Sequence, residues 1–347
     1  MKKLRWGVIG AGGIADRRAI PGLMKCDNAE LVAVMELDLQ VSRGLCEKYH
    51  AKRAYDKELD LLKDPEVDAV YIASPVKYHA EQAKMAADYG KHILIEKPLA
   101  MTSAEGQSII DYCEDKGVKL AVGFMMRFGS YVSEIKKAVQ QGKIGDVVSG
   151  FAQFTCWYPD MPDAWRQNRS YSGGGALMDM GIHCIDLIQY ITGSPVIQVA
   201  AFHDTLTFNY EVEDSSSVTL RLENGAICTV QSNFNIPDEA AKWRMEFFGT
   251  KGRLVGDNVI GQEDGGSLDA IFMDDVGGYD AKQNKKEIKP VNIDVTYGDM
   301  FQREIWSFSN SVLNDLPLEV PAADAVQVQR IAEAAYRSND ERRIIDI

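Results

Sequence analysis

Short strand-like runs alternate with amphipathic segments through the first third of the chain. The runs lie at residues 4–9, 31–36, 52–55, 69–73, 93–96 and 119–123. The segments between them carry apolar residues at helical spacing. Strands that alternate with helices predict a parallel, doubly wound α/β sheet. Ile93-Leu94-Ile95 is apolar throughout, which is typical of a central strand covered on both faces.

The pattern changes after residue 123. Longer runs of alternating polar and apolar residues follow, as expected of strands with one buried face. They lie at 146–158, 195–208, 214–223, 226–235 and 243–249. Asn224-Gly225 lies between two of these runs and is a strong hairpin signal. Lys251-Gly252 predicts a second turn, so consecutive strands here should pair antiparallel.

Helices flank and interrupt these strands. They are predicted near 131–141, 176–192, 297–314 and 323–337. The stretch 256–295 is rich in glycine and aspartate and has no clear assignment. We therefore predict two domains: a doubly wound sheet over 1–123, and an α+β domain with a large, open, mostly antiparallel sheet over 124–347.

A glycine-rich loop joins the first strand to the first helix. It reads G-A-G-G-I-A from Gly10 and has the spacing G-x-G-x-x-A. Gly10 permits the tight turn, Gly12 lets the backbone approach a pyrophosphate, and Ala15 lets the helix pack close to the sheet. The helix start offers N–H groups and a positive dipole end to phosphates. Because a strand precedes the loop and a helix follows it, we predict a dinucleotide site that includes Gly13 and Ile14.

An acidic residue ends the second predicted strand. Glu36 lies 26 residues after Gly10, where a carboxylate can accept hydrogen bonds from the adenosine ribose hydroxyls. A 2′-phosphate would be repelled there, and the next residues, Leu37 and Asp38, supply no cation. We therefore predict NAD as the cofactor rather than NADP. Alternatively, Glu36 caps the following helix.

Two more strands end in residues that could face the cofactor. The carboxyl ends of parallel strands form the ligand-binding edge of an open α/β sheet. Pro98 cannot donate to a ladder, so Glu96 and Lys97 are fixed at that edge. Ser74-Pro75 ends another strand, and His79 just inside the next helix could be structural or functional. A lysine at a strand end could also be merely solvated, so the role of Lys97 depends on the rest of the chain.

One predicted helix carries three polar residues on a single face. It follows a run of three glycines and contains Asp179, His183 and Asp186, at spacings of four and three residues. A carboxylate one turn before a histidine can hold its tautomer and tune its pKa for acid–base chemistry. The pattern could also bind a metal, but no further ligand cluster supports that. The face could instead point to water, and Asp186 best fits a structural role.

An irregular loop over residues 159–172 precedes the glycines. It contains Trp165 and Arg166. An aromatic ring and a guanidinium on a loop over a cleft could hold a sugar or the nicotinamide half of the cofactor. The loop could also be a surface feature with incidental packing.

Composition narrows the classes of partner. The chain has 347 residues and a formal net charge of −13, which argues against nucleic acid and anionic membranes as partners. Six cysteines form no CxxC pair and do not cluster with the five histidines, which indicates reduced thiols and no zinc site. The N-terminal apolar run is too short for a signal peptide, and no stretch is long enough to span a bilayer. We therefore predict a cytoplasmic protein.

Together these motifs resemble those of the Gfo/Idh/MocA family, named for glucose–fructose oxidoreductase, inositol dehydrogenase and a rhizopine-catabolism protein. The likeness covers essentially the whole chain. It lies in the order and spacing of Gly10-x-Gly12-x-x-Ala15, Glu96-Lys97-Pro98, Trp165-Arg166 and Asp179-x-Gly181-x-His183-x-x-Asp186. The resemblance implies a Rossmann domain, a second domain whose open sheet often makes the oligomer contact, and NAD(P)-dependent chemistry at a carbinol carbon of a sugar, cyclitol or related polyol. A homodimer or homotetramer is therefore expected.

The resemblance also implies roles for individual residues. Lys97 matches the catalytic lysine, Asp179 the substrate-binding carboxylate and His183 the acid–base histidine. The stretch from Ser74-Pro75 to His79 matches a Thr-Pro-Asn…His segment, with Val76 in place of the usual asparagine.

One candidate substrate contact and one backbone feature complete the resemblance. Arg127 is the residue that matches an Asn-Arg-Arg type run, and a cis peptide bond before Pro98 is also implied. Apart from the resemblance, Tyr158 is a further candidate substrate contact.

These assignments predict a dehydrogenase. His183 would remove the hydroxyl proton, Lys97 would stabilise charge on the same oxygen, and Asp179 would orient the sugar and His183. We thus expect an amine and an imidazole to converge on one alcohol oxygen. Three alternatives stay open: redox-neutral oxidation of a glycoside at C3 with bound NAD and loss of the aglycone, NADPH-dependent reduction of a keto-sugar, and a nucleotide-dependent regulator without turnover.

Overall fold

The computed structural model describes residues 2–274, 276–279, 281–282 and 288–347. By their internal packing these residues fall into two compact units. The first unit contains residues 1–125, 163–173 and 299–330, and the second contains 126–162, 174–298 and 331–347. The first unit extends to residue 125, which is two residues beyond the predicted boundary at 123. Two later segments, 163–173 and 299–330, also belong to the first unit.

In the first unit, the described residues form a six-stranded parallel sheet. Its strands are β1 Leu4–Ile9, β2 Ala29–Met35, β3 Arg53–Tyr55, β4 Ala69–Ile72, β5 His92–Glu96 and β6 Leu120–Gly123. They are ordered β3-β2-β1-β4-β5-β6. The order reverses between β1 and β4, which is the switch point where ligands bind in open α/β sheets. The predicted doubly wound fold is confirmed.

Helices connect the strands throughout the described residues. In chain order they are α1 Ile20–Leu23, α2 Leu39–Tyr49, α3 Glu58–Leu62, α4 His79–Asp88, α5 Ser103–Asp115, α6 Ser130–Gln140, α7 Arg169–Ser172, α8 Ile182–Thr192, α9 Met300–Leu313 and α10 Ala322–Glu341. Side chains define where several begin: Asp38 accepts from the Gln40 N–H at 2.8 Å at the start of α2, and Thr102 accepts from Glu105 at 3.1 Å at the start of α5.

Shorter helical turns lie between these elements. The 3₁₀ turns are Val76–Tyr78, Met125–Phe128, Trp165–Gln167 and Asp238–Ala240, and the π-helical turns are Ala15–Ala19 and Leu177–Gly181. The π-helical turns precede α1 and α8 directly. The helix predicted over 176–192 is therefore present, but its first turn is wider than an α-helical turn.

Trp6 of β1 explains why α9 belongs to the first unit. Its indole is fully buried, lies 5.2 Å from the Phe308 ring and donates from Nε1 to the Ser309 hydroxyl at 3.1 Å. Gly22 of α1 lets α9 approach, since a Cβ there would lie 2.8 Å from the Gln302 nitrogen. These partners lie about 300 positions apart in the chain, so the hydrophobic pattern alone did not reveal the contact.

The described residues of the second unit form a nine-stranded sheet. Its strands are β7 Val147–Thr155, β8 Val196–Asp204, β9 Ser215–Leu222, β10 Ile227–Asn233, β11 Met245–Gly249, β12 Gly252–Asp257, β13 Ser267–Phe272, β14 Val291–Asn292 and β15 Ile345–Asp346. They are ordered β14-β13-β12-β11-β7-β10-β9-β8-β15, and β7 and β10 pair in parallel. The other pairs are antiparallel, which confirms the predicted mostly antiparallel sheet.

Alternation along the strands gives this sheet one covered and one open face. In β9, Val218, Leu220 and Leu222 are fully buried, whereas Thr219 and Arg221 between them are exposed. This period of two is typical of an antiparallel sheet with a single buried face. The covered face therefore forms the core of the unit.

Both predicted turns are present, the second with a shift of one residue. Gly225 has φ +90°, and the Ala226 N–H donates to Asn224 Oδ1 at 3.0 Å. Gly249 pairs with Gly252 across β11 and β12, so the second turn is formed by residues 250–251.

The stretch 256–295, which had no assignment from sequence, contains β13 and β14. Residues 275, 280 and 283–287 within it lie outside the described residues.

Candidate active site

The glycine-rich loop leaves β1 beside the end of β4. Gly10 and Ala11 both donate to the Met35 carbonyl, at 3.1 and 3.0 Å. Gly10 has φ +71°, and a Cβ there would lie 2.8 Å from the Ser74 nitrogen. Gly13 has φ +55°, and a Cβ there would meet no described atom within 4 Å. The loop therefore packs tightly at its first glycine and is open at Gly13, as the approach of a phosphate requires.

Glu36 contacts this loop directly. The Gly12 N–H donates to Glu36 Oε1 at 2.7 Å, and a Cβ on Gly12 would lie 3.0 Å from the same oxygen. The interpretation of Glu36 as the cap of α2 is wrong, because Asp38 occupies that position. The carboxylate instead lies against the backbone that is expected to bind the dinucleotide.

His79 joins the ends of β4 and β5. Its ring is fully buried, with Nε2 2.9 Å from the Ser74 carbonyl oxygen and Nδ1 2.9 Å from the Pro98 carbonyl oxygen. Burial lowers the pKa of His79 to about 4, so the ring is neutral near pH 7 and donates to one carbonyl at a time. His79 thus fixes backbone on either side of the predicted ligand-binding edge.

Lys97 lies half-buried where β5 ends. Its N–H donates to Glu96 Oε2 at 3.3 Å, and the Lys97–Pro98 peptide bond is cis, as the resemblance implied. The Tyr71 hydroxyl donates to Glu96 Oε1. Burial raises the pKa of the Glu96 carboxyl, and the charges of Lys97 and Arg166 lower it. Burial therefore opposes ionisation of the carboxyl group that adjoins Lys97.

The loop residues Trp165 and Arg166 belong to the first unit, as does Lys97. They form part of a 3₁₀ turn, and the guanidinium of Arg166 lies 4.4 Å from the centre of the Trp165 ring. Since the Arg166 charge acts on the pKa of Glu96, the loop is electrostatically coupled to the end of β5. The Arg166 guanidinium is thus close enough to act on the charge of Glu96.

A second acidic side chain is buried in this unit. Glu304 of α9 is 2% exposed, and neither of its carboxyl oxygens has a hydrogen-bond partner among the described residues. Burial, and secondarily the charge of Glu96, raise the pKa of Glu304 well above its ordinary value. Burial also raises the pKa of Tyr71, with the charges of Glu96 and Glu304 adding to it. These groups share a site in which negative charge is disfavoured.

Asp179 and His183 lie in the second unit on one continuous helix. Asp179 is half-buried in the π-helical turn, and His183 is 2% exposed in the first turn of α8. The His183 ring meets Phe154 edge-on, with centroids 6.2 Å apart. π-helical turns inside helices are frequent at functional sites. The interpretation of this face as water-facing is wrong for His183, since the ring is buried.

Asp186 is buried and paired with Arg127. Arg127 Nε donates to Asp186 Oδ2 at 2.9 Å, and its Nη2 donates to Oδ1. The Arg127 guanidinium also lies 4.6 Å from the centre of the Tyr190 ring, and Lys136 Nζ lies 3.4 Å from it. A buried bidentate pair of this kind ties the turn after β6 to α8. This geometry suits Arg127 for holding α8 in place.

Tyr158, the other candidate substrate contact, follows β7. It is half-buried, and its ring centroid lies 5.1 Å from that of Phe234. Its carbonyl accepts from the Tyr210 hydroxyl at 3.1 Å. The residue is thus held by aromatic neighbours in the second unit.

Sequence reasoning missed the residues that hold the start of this helix. Glu213 is buried and accepts from the N–H groups of Gly175 and Leu177, at 3.0 Å each, and from the Tyr336 hydroxyl at 2.8 Å. Burial raises the pKa of Glu213, and these donors oppose that shift. The glycine run before the helix was the available signal, because glycine marks a close approach of other groups.

The described residues contain no group of three or more His, Cys, Asp or Glu side chains arranged to hold a metal ion. Within the same part of the chain, no helix has both the length and the apolar character needed to cross a membrane.

Comparison with known proteins agrees with this architecture. The family model described as an oxidoreductase family with an NAD-binding Rossmann fold matches residues 4–124, and the GFO/IDH/MocA C-terminal domain matches residues 132–255. The D-glucoside 3-dehydrogenase of Escherichia coli is 30% identical over 72% of this chain and 75% of its own length. A D-xylose 1-dehydrogenase (NADP(+)) of Haloferax volcanii is 28% identical over 99% of this chain and all of its own. The crystal structure of the aldose–aldose oxidoreductase of Caulobacter crescentus, complexed with glycerol, superimposes with a TM-score of 0.89 at 27% identity, covering both chains completely.

The fold and these relatives define the class: the protein is an NAD(P)-binding oxidoreductase of the sugar-dehydrogenase type. Within that class, the chain belongs to the Gfo/Idh/MocA family.

The Arg127–Asp186 pair generates a stability prediction. Replacing Asp186 by Leu leaves a buried guanidinium without its carboxylate, so the free energy of unfolding should fall by about 3–5 kcal/mol in urea titrations. The double variant Arg127→Met/Asp186→Leu should regain more than half of this loss, because it leaves no buried charge. A loss below about 1 kcal/mol in the single variant would contradict a structural role for the pair.

Glu304 generates a pH prediction. Its folded-state pKa lies above the ordinary 4.5, so the folded protein holds this proton more tightly than the unfolded chain. That contribution to stability is complete below about pH 4.5 and is lost as the pH rises toward the raised folded-state value. Glu304→Gln stays neutral, so its Tm relative to the native protein should increase between pH 5 and pH 8.

The control for this measurement is Glu114→Gln, which neutralises an exposed carboxylate on α5. Its Tm difference from the native protein should not follow pH in the same way. If the Tm difference between Glu304→Gln and the native protein is constant from pH 5 to pH 8, then Glu304 is as easily ionised in the folded state as in the unfolded one.

Proposed function

We propose that this protein oxidises a secondary hydroxyl of a sugar, cyclitol or glycoside, with NAD as the hydride acceptor. The observation that carries the proposal is the placement of half-buried Asp179 one turn before buried His183 on the same helix. A carboxylate and an imidazole so arranged can act as an acid–base unit. Two relatives named for acting on a D-glucoside and on D-xylose support a carbohydrate substrate.

The first unit fits a dinucleotide. Gly13 leaves room where a side chain would otherwise block a pyrophosphate, and Glu36 lies against the same loop, bonded to Gly12. Glu36 would accept hydrogen bonds from the ribose hydroxyls and repel a 2′-phosphate, so NAD is favoured. One relative is named as an NADP(+) enzyme, so likeness to relatives does not by itself favour NAD. The proposed preference for NAD over NADP rests on Glu36. When bound, the nicotinamide supplies hydride transfer at the carbinol carbon.

Other residues would complete the cofactor site. The proposed contacts are Gly10, Gly12, Gly13, Ile14, Glu36, Ser74, Pro75, His79, Glu96, Lys97, Trp165 and Arg166. His79 would act through the backbone it holds, since both of its ring nitrogens face carbonyl oxygens.

Three side chains would handle the proton and the charge. His183 would remove the hydroxyl proton, a contribution of about 10²- to 10⁴-fold to the rate. Lys97 would donate a hydrogen bond to the same oxygen and stabilise the negative charge that develops there. Asp179 would orient the sugar and the His183 ring. Tyr158 is the remaining proposed substrate contact, whereas Arg127, the other candidate, is buried against Asp186 and is assigned to holding α8.

A second candidate function is favoured by the likeness to a D-glucoside 3-dehydrogenase. Oxidation of a glycoside at C3 makes the C2 proton acidic. Loss of that proton and of the aglycone from C1 would leave a C1–C2 double bond, to which water would add. Return of the hydride to C3 would then give the free sugar without net production of NADH. Release of aglycone without NADH would distinguish this activity from simple dehydrogenation, and tight binding of NADPH would instead favour keto-sugar reduction.

The protein is proposed to act as a homodimer or homotetramer, because the open sheet face of the second unit offers a surface for self-association.

Catalytic variants test the principal proposal. A screen of sugars, cyclitols and glycosides for NADH fluorescence would first identify a substrate. With that compound, Lys97→Met and His183→Ala should each lower kcat by about 10²-fold or more, because each removes a group that acts on the reacting oxygen. The Kd for NADH should change little in His183→Ala. Near-native turnover in either folded variant would remove that residue from the mechanism, and Glu114→Gln serves as the control for expression and folding.

Cofactor preference tests the role of Glu36. Fluorescence titration should show that the native protein binds NADH at least about tenfold more tightly than NADPH, because a hydrogen bond to a charged group contributes about 1.5 kcal/mol or more and 1.4 kcal/mol is a tenfold change in Kd. Glu36→Ser should narrow this ratio, whereas Glu47→Gln, which removes an exposed charge from α2, should not. Equal or tighter binding of NADPH by the native protein would contradict the assignment.

A further inference from the structure

The helix that carries Asp179 and His183 begins at three consecutive amides bound by one residue. Glu213 Oε2 accepts from the Gly175 N–H and Oε1 from the Leu177 N–H, at 3.0 Å each. The backbone carbonyl of Glu213 accepts from the Ala176 N–H, also at 3.0 Å. These amides have no partners within the helix, and burial makes their satisfaction obligatory. Glu213 therefore fixes where the helix begins.

Gly174 and Gly175, which precede the helix, leave the space that Glu213 and Tyr336 occupy. A Cβ on Gly175 would lie 2.0 Å from the Glu213 carbonyl oxygen, and a Cβ on Gly174 would lie 2.1 Å from the Tyr336 hydroxyl. Tyr336 in turn donates to Glu213 Oε1 at 2.8 Å. All four groups belong to the second unit. A larger residue at Gly175 would displace the helix start from the Glu213 backbone, and one at Gly174 would displace the Tyr336 hydroxyl.

The π-helical turn follows directly from this anchor. Asp179 lies within that turn, and its N–H donates to the Gly175 carbonyl at 2.9 Å. His183 lies four residues further along the same helix. A shift or rotation of the helix start therefore moves both side chains together, and misplacement by about 1 Å can lower a catalytic rate 10²-fold.

We propose that Glu213 is a positioning residue for Asp179 and His183, and that Tyr336 supports it by binding the same carboxylate. The proposal rests on the acid–base role given above to those two residues. Glu213 would not touch the reacting atoms; it would act through the backbone of residues 175–177.

Four variants separate the contributions. Glu213→Gln keeps the size of the side chain but has one amide oxygen in place of two carboxylate oxygens, so an NH₂ group must face at least one of the donors. Glu213→Ala removes all three side-chain contacts, and Tyr336→Phe removes only the hydroxyl. Glu223→Gln is the matched control, because it makes the same chemical change at an exposed glutamate of the second unit. If Glu213→Ala does not fold, Glu213→Gln and Tyr336→Phe carry the test.

Hydrogen exchange tests the anchor without any substrate. In Glu213→Gln, amides in residues 175–181 should exchange about tenfold or more faster than in the native protein, because a buried hydrogen bond to a carboxyl oxygen is lost. Amides in β1–β6 should keep native protection. Tyr336→Phe should show a smaller effect in the same segment, and Glu223→Gln none. Native protection of residues 175–181 in Glu213→Gln would overturn the proposal.

The second measurement distinguishes positioning from stability alone. In NMR titrations, the His183 ring signal, identified among five histidines by its loss in His183→Ala, should titrate with a different midpoint in Glu213→Gln but not in Glu223→Gln. With a substrate in hand, kcat of Glu213→Gln should fall by about 10- to 100-fold while the Kd for NADH stays native. A native His183 titration and native kcat, despite faster exchange, would reduce Glu213 to a structural residue and overturn the proposal. If the native protein has no dehydrogenase activity, the proposed function fails, while exchange and the His183 titration still decide the role of Glu213.

Discussion

Burial of polar groups with their hydrogen bonds satisfied is the constraint on which this structure depends. The helix with Asp179 and His183 packs against the second unit's sheet, and the backbone at its start and the Asp186 side chain are buried, so these polar groups need partners within the protein. Glu213 supplies them for the first amides, and Arg127 supplies them for Asp186. Each partner comes from a different segment of the same unit. The helix is thus held at both its start and its middle, which is the rigidity that the proposed acid–base pair would need.

In the first unit, ionisable side chains are also buried near the end of β5. His79, Glu96 and Glu304 are buried, and burial disfavours the charged form of each: it lowers the pKa of the imidazole and raises the pKa values of the two carboxyl groups. The ring nitrogens of His79 lie beside the carbonyl oxygens of two strand ends, and the neutral ring donates to one of them at a time. Burial therefore disfavours negative charge next to Lys97, whose ammonium would stabilise a developing oxyanion in the proposed reaction.

Much of this could be predicted from local pattern. The parallel sheet, the glycine loop, the Asn224-Gly225 hairpin and the helix over 176–192 follow from periodicity and turn chemistry, which act over a few residues. The contact of Trp6 with α9 and the anchoring of Gly175 by Glu213 could not be predicted, because their partners lie 303 and 38 positions apart and carry no local signal. Burial of Asp186 was likewise hidden, since only its pairing with Arg127 makes a buried carboxylate acceptable.

The central claim is that Lys97 and His183 serve one alcohol oxygen in the proposed reaction. Initial rates of NADH formation by the native protein, Lys97→Met, His183→Ala and the double variant test it most directly, using a substrate that the native protein oxidises. Groups that act as a unit on one atom are strongly non-additive, so the double variant should be about as slow as the slower single variant. If the fold-reduction in rate of the double variant equals the product of the two single-variant reductions, the two side chains act independently, and the proposal that they serve one oxygen is contradicted.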